Sequence, residues 1–138
     1  MAPESESVTD VIGRGFANFS SGDVDTFLET IHPEIVWRTA GLFPGLDDVY
    51  EGHEGMRDWW AAFRETWEEM NLSPGRITEL DERSALAELH FEARGRDGIE
   101  VERNLAQRLT VREGKLYRAR SWPSWDAAVA ALEEESSR

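Results

Sequence analysis

The chain has 138 residues, and 28 acidic against 15 basic side chains leave a formal net charge of −13, with no cysteine. That balance repels phosphate backbones and anionic lipid headgroups, so nucleic acid and membranes are not expected as partners, and the missing thiols exclude disulfides, thiolate catalysis and zinc–thiolate sites. The length suits one domain with its own core, the start MAPESESVTD lacks a signal peptide's basic and apolar parts, and no apolar run approaches the roughly 20 residues of a membrane span, which together suggest a cytoplasmic protein.

Val8, Val11, Ile12, Gly15, Phe16 and Phe19 recur at helical spacing after Ser7, whose partner Asp10 sits where a capping box needs it. Gly22 stops this helix, Asp23 caps a second, and Pro33 ends it before a short strand over residues 34–38. Residues 39–48, TAGLFPGLDD, read as an irregular loop with apolar tips. The stretch EGHEGMRDWWAAFRETWEEM then predicts a third helix with Met56, Trp59, Trp60, Phe63, Trp67 and Met70 on one face. After Ser73-Pro74-Gly75 the period changes to two, predicting a meander of strands with turns at 81–83, Asp97-Gly98 and Glu113-Gly114. Ser124 caps a short last helix, and the ends of the chain read as frayed. Helices followed by an antiparallel sheet make an α+β fold, with the helices on one sheet face.

If both glycine turns close two-residue hairpins, the strand register follows by counting. Phe91 then faces Asn104, Leu89 faces Ala106, Ala87 faces Arg108, and Arg108 faces Ala119. In that register Phe91, Asn104, Ala106, Arg108, Tyr117 and Ser121 look toward the helices, among the alanines of residues 85–93. The other face collects His90, Glu92, Arg103, Leu105, Gln107, Leu109, Val111, Leu116 and Trp122, with Glu92 opposite Arg103. Its mixture of charge and large apolar groups is that of a subunit contact, so a homodimer through this convex face is expected.

The phrases SSGDVDTFLETIHPEIVWR, YEGHEGMRDWW and VREGKLYRARSW, in this order of elements, resemble the SnoaL-like branch of the nuclear transport factor two superfamily, over about residues 8–132. The resemblance implies a single domain shaped as a cone: a strongly curved antiparallel sheet wrapped around N-terminal helices, a cystatin-like α+β barrel, with a short C-terminal helix. It also implies a pocket between sheet and helices. Functionally it covers cyclases, isomerases, hydrolases, dehydratases and domains that only bind. At the family's acid–base positions this chain carries Arg38 where an isomerase-type base stands, Gly15 for a tyrosine donor, a residue near Ala106 for an acidic oxyanion donor and Ser121 for a hydrolase-type aspartate.

The expected ligand pocket therefore comprises Phe16, Arg38, Trp59, Trp60, Phe63, Phe91, Asn104, Arg108, Tyr117 and Ser121. Inward guanidinium and amide groups suit a carboxylate or carbonyl, and four large rings against alanines suggest spare volume for a flat apolar ligand. His53, at the start of the third helix, is the candidate acid/base, though orienting that helix is its simpler role. No histidine and carboxylate stand at ligand spacing along the chain, so neither a metal nor a cofactor is expected. The resulting expectation is a protein that binds a small apolar molecule carrying an oxygen or carboxylate, such as a polyketide- or terpenoid-like metabolite. Its activity would be that of a cofactor-free isomerase, cyclase or hydrolase, and the alternative is a noncatalytic homodimeric binding or interaction module.

Overall fold

The computed structural model describes residues 7–39 and 46–136. Helices α1 (Val8–Ser20) and α2 (Val24–Leu28) precede strand β1 (Ile31–Arg38), and a short β2 (Val49–Glu51) leads into α3 (Gly52–Thr66). Four strands follow, β3 (Trp67–Glu79), β4 (Ser84–Gly95), β5 (Glu100–Arg112) and β6 (Lys115–Trp122), before α4 (Trp125–Ser136). One sheet runs in the order β2-β1-β6-β5-β4-β3. It wraps α1, which touches β3, β4, β5 and β6, so the α+β cone expected from the sequence is present. The sheet is mixed rather than antiparallel, because β1 runs parallel to β6, and it stays open between β2 and β3.

Local chemistry accounts for most boundaries. The Asp10 N–H donates to Ser7 Oγ (3.1 Å) and the Ser7 N–H to Asp10 Oδ2 (3.3 Å), closing the capping box of α1. Helix α3 is shorter than its aromatic stripe suggested. Its last helical bond runs from the Trp67 N–H to the Phe63 carbonyl, and at Trp67 the backbone is already extended (φ −116°, ψ 133°). Trp67 and Met70 therefore belong to β3, where Trp67 pairs with Gly95. The strand continues through Ser73, Pro74 and Gly75, where a break was expected, because β3 is an edge strand, where proline is tolerated, and the register shifts just beyond Pro74. Of the expected loop at 39–48, residues 40–45 lie outside the described residues, as do 1–6 and 137–138. Its far side forms β2, which pairs with β1.

The register differs by one residue from the count, and two features cause it. The Gly95 N–H donates to the Ile99 carbonyl at 2.8 Å, so three residues, Arg96, Asp97 and Gly98, make the loop, with Gly98 at φ +87°. That is a three-residue hairpin with glycine in the left-handed position, not a two-residue turn. Leu89 consequently faces Leu105, Phe91 faces Arg103 and Glu92 faces Glu102. The second turn is as expected: Glu113 and Gly114 both have positive φ, and Arg112 faces Lys115. Beyond it, Tyr117 is an extra residue in a bulge, so Leu109 faces Ala119 and Arg108 faces Arg120. Because side chains alternate, the slip exchanges the two faces of β5. Leu105, Gln107 and Leu109 point at the helices, and Asn104, Ala106 and Arg108 point away.

The main core lies between α1, α2, α3 and the concave sheet face. A second, smaller cluster joins Leu86, Ala106 and Trp122 on the outer face to Ala128 of α4. Among the described residues no helix is long and apolar enough to cross a membrane.

Candidate functional site

The interior is built from rings. The helical period of α3 stacks Met56, Trp59, Trp60 and Phe63 on its buried face. They meet aromatic residues from α1, α2, β1 and β4. Trp59 lies 5.7 Å from Phe19 of α1, 5.9 Å from Phe27 of α2 and 5.1 Å from Trp37 of β1, centre to centre. Phe63 stacks on Phe91 of β4 at 5.5 Å. Phe19, Phe27 and Trp37 join the same buried cluster as the rings of α3 and the alanines of β4, which fills much of the interior that the expected mismatch would have left open. What remains is a gap of about 10 Å³ among Gly15, Phe16, Phe19, Phe27, Trp37, Trp59, Leu72 and Leu116. That holds about one water.

One polar pair sits on this concave face. Gln107 of β5 is 3% exposed and lies between Ala87 of β4 and Ser121 of β6, also buried. The Gln107 side-chain amide N–H donates to Ser121 Oγ at 3.2 Å, while its Oε1 has no hydrogen-bond partner among the described residues. Turning the amide over would satisfy Oε1 and orphan the nitrogen instead, so one end is unpaired in either orientation. Leaving such a group dry costs about 1–3 kcal/mol. The indole N–H of Trp67 is a second buried group without a partner among the described residues. At the rim Arg64 lies over the Trp60 ring, 4.2 Å from its centre, and burial pulls its pKa down.

Phe16, Trp59, Trp60, Phe63, Phe91 and Ser121 are thus brought to one interior, and the other expected pocket residues are not. Arg38 is exposed and flanks Val49 and Arg120 on the outer face. Asn104 is held outside by His90, whose Nδ1 lies 2.7 Å from Asn104 Oδ1. Arg108 faces outward beside Ser84, a consequence of the three-residue hairpin and the bulge. Tyr117, in that bulge, accepts hydrogen bonds from Arg112 and Arg118 and packs edge-on against His32, away from the ring cluster.

His53 Nε2 is 2.7 Å from the Ile31 carbonyl. A carbonyl only accepts, so Nε2 carries the proton and ties the first turn of α3 to β1. His32 is buried at the start of β1. Its Nδ1 accepts from the Glu34 N–H (3.0 Å), and its Nε2 donates to Glu113 (2.9 Å). Gln107 and Trp37 were missed as interior groups. The alternation Leu105, Gln107, Leu109 carried the signal for Gln107, but the assumed turn sent all three outward.

The chain matches the SnoaL-like domain over residues 12–119. Several solved structures share the fold. TerC, co-crystallized with polyporic acid, superposes with a TM-score of 0.74 at 21% identity, covering 96% of this chain and 99% of that one. A putative polyketide cyclase from Sinorhizobium meliloti gives 0.66 at 23%, over 82% and 94%. RV0760c from Mycobacterium tuberculosis, in complex with estradiol-17beta-hemisuccinate, gives 0.74 at 12%, over 87% and 96%. Among curated proteins none matches. With the family match spanning most of its length and its fold shared with these structures, the chain belongs to the SnoaL-like domain family.

Proposed function

We propose that this protein binds a small, mostly apolar molecule bearing an oxygen, inside the cone, and that it does so without acid–base catalysis of its own. The observation that carries this reading is Gln107: a buried amide with one end unpaired, on the concave face, beside a buried serine hydroxyl. A hydroxyl or carbonyl on a ligand would fill that vacancy, while the rings of α1, α2 and α3 would cover its apolar part. The two neighbours that hold polyporic acid and estradiol-17beta-hemisuccinate support such a ligand class. The gap of about 10 Å³ means that binding requires Trp59 and its neighbours to move.

Against an isomerase, cyclase or hydrolase stands the chemistry of the interior. The buried polar residues among those described are Thr30, His32, Thr39, Ser84, Gln107 and Ser121, with no carboxylate, and His32 is already bonded at both nitrogens. A general acid or base has to reach the moving proton, and His53, whose Nε2–H is held by the Ile31 carbonyl, is left with Nδ1 alone for such a role. The homodimer expected from an apolar outer face loses that support. Leu105, Leu109 and Leu116 turn inward, and Leu86, Ala106 and Trp122 share a cluster with α4. Binding is accordingly proposed for a single chain.

Calorimetric titration with polyporic acid and estradiol-17beta-hemisuccinate tests the reading. Saturable binding that Gln107→Leu weakens about tenfold and Arg108→Ala leaves unchanged is the expected result. Equal affinities for wild type and Gln107→Leu would refute the role of the amide. Turnover of either compound would refute the noncatalytic part.

A further inference from the structure

The corrected register also assembles a group on the outer face of β4 and β5 that the linear sequence conceals. Glu92 stands directly opposite Glu102, and His90 opposite Asn104. A two-residue turn would have set Glu92 against Arg103 and hidden the cluster. Two carboxylates paired across a ladder repel each other. His90 reaches into their space, with Nε2 2.9 Å from Glu102 Oε2 and 3.5 Å from Glu92 Oε1. One ligating atom from each of the three lies within 4.8 Å of the others.

Asn104 sets the chemistry of the ring. Its Oδ1 accepts from His90 Nδ1 at 2.7 Å, so Nδ1 carries a proton and the ring turns Nε2 toward the two carboxylates; without an ion Nε2 also carries a proton, accepted by Glu102 at 2.9 Å, and a bound metal would displace it. Metal-binding histidines are commonly oriented this way, by a hydrogen bond at the nitrogen that does not ligate. The spacing fits as well. Bonds of about 2.1 Å to an ion place neighbouring ligands about 3.0 Å apart in octahedral and about 3.4 Å apart in tetrahedral geometry, each within about 0.1 Å of one of the two measured distances.

We propose that His90, Glu92 and Glu102 form a site for a divalent transition-metal ion, with Asn104 orienting the imidazole. One nitrogen and two carboxylate oxygens suit zinc, cobalt or nickel better than magnesium or calcium, which prefer all-oxygen sets. Glu92 and Glu102 also line an open groove of about 590 Å³, which gives water or another oxygen donor access to the remaining coordination positions. The nearby Arg94 does not neutralise the pair, since its guanidinium bonds Glu69 at 2.8 Å and Glu68 at 3.5 Å. The net charge of −13 adds a field that favours a cation. An ion here would clamp two adjacent strands and so raise the thermal midpoint of the whole chain.

Titration of chelator-treated full-length protein with zinc chloride at neutral pH and physiological salt tests the site. One equivalent of saturable binding is expected, weakened at least about tenfold in His90→Ala and in Glu102→Gln and unchanged in Glu54→Gln, an exposed acid on α3. Circular dichroism confirms that each variant is folded, and the zinc-induced rise in melting temperature should vanish in the two cluster variants. Three outcomes each overturn the proposal: no stoichiometric binding in the wild type, equal affinity in folded His90→Ala, or equal weakening in Glu54→Gln, which would mark a diffuse acidic surface.

Discussion

The two faces of the same sheet carry opposite chemistry. Inward, β4, β5 and β6 present alanines, leucines and one unsatisfied amide to a cluster of rings. Outward, Arg38, Arg120 and Arg108 stand in one row across β1, β6 and β5, and Arg120 reaches Glu135 of α4 at 2.7 Å. The inner face gains from dryness and close packing, and the outer face from charge pairing and a helix laid over its few apolar residues. Strand alternation separates these chemistries by a single residue, so a one-residue slip in reading exchanges a candidate ligand arginine for a buried glutamine.

Breaking the inner face should have the largest effect. Phe63 is 1% exposed and packs on Trp59 and Phe91, so Phe63→Ala should lower unfolding stability by about 3–5 kcal/mol, read from denaturant melts. The matching outer-face variant, Leu86→Ala, should cost less, about 2 kcal/mol, because α4 is free to settle on the shortened side chain. If Leu86→Ala proved the costlier, the ranking of the two clusters would be wrong.

Gln107→Leu sharpens the comparison from the other side. It removes a buried unpaired oxygen but also the hydrogen bond to buried Ser121, so the two effects offset and its stability should stay within about 1 kcal/mol of the wild type. A clear loss would show that the amide is already satisfied in the folded protein. The smallest effect concerns pH at the His32–Glu113 contact. The hydrogen bond from His32 holds the Glu113 carboxyl below the usual glutamate range. A depressed folded pKa gives stability that is present above the unfolded value, about 4.3, and lost as pH falls through the folded one. Glu113→Gln should therefore lower the melting temperature slightly at neutral pH and leave it nearly unchanged in strong acid, flattening the acid side of the profile.

The sequence displayed its helices well because capping and period are local: Ser7 with Asp10, and the stripe from Val8 to Phe19, needed no partner to be read. The end of α3 was not legible, since Trp67 and Met70 continue the helical spacing and only pairing with β4 draws them into β3. Nor was the register. Arg96, Asp97 and Gly98 form a loop fixed by one backbone bond between Gly95 and Ile99, and the bulge at Tyr117 has no local signature. Those two one-residue events misplaced Asn104 and Arg108, hid Gln107, and separated His90 and Glu92 from Glu102. The aromatic interior survived them because none of its rings comes from β5 or β6, the strands whose reading slipped.

The six tryptophans divide between the regions compared here: Trp37, Trp59, Trp60 and Trp67 belong to the inner cluster, Trp122 and Trp125 to the outer one. Their indole N–H signals in a nitrogen-15 correlation spectrum, followed while estradiol-17beta-hemisuccinate or polyporic acid is added, test the interior binding reading most directly. The account predicts saturable shifts of the inner four signals while the outer two stay in place. Shifts confined to Trp122 and Trp125, or no shift at saturating ligand, would contradict it.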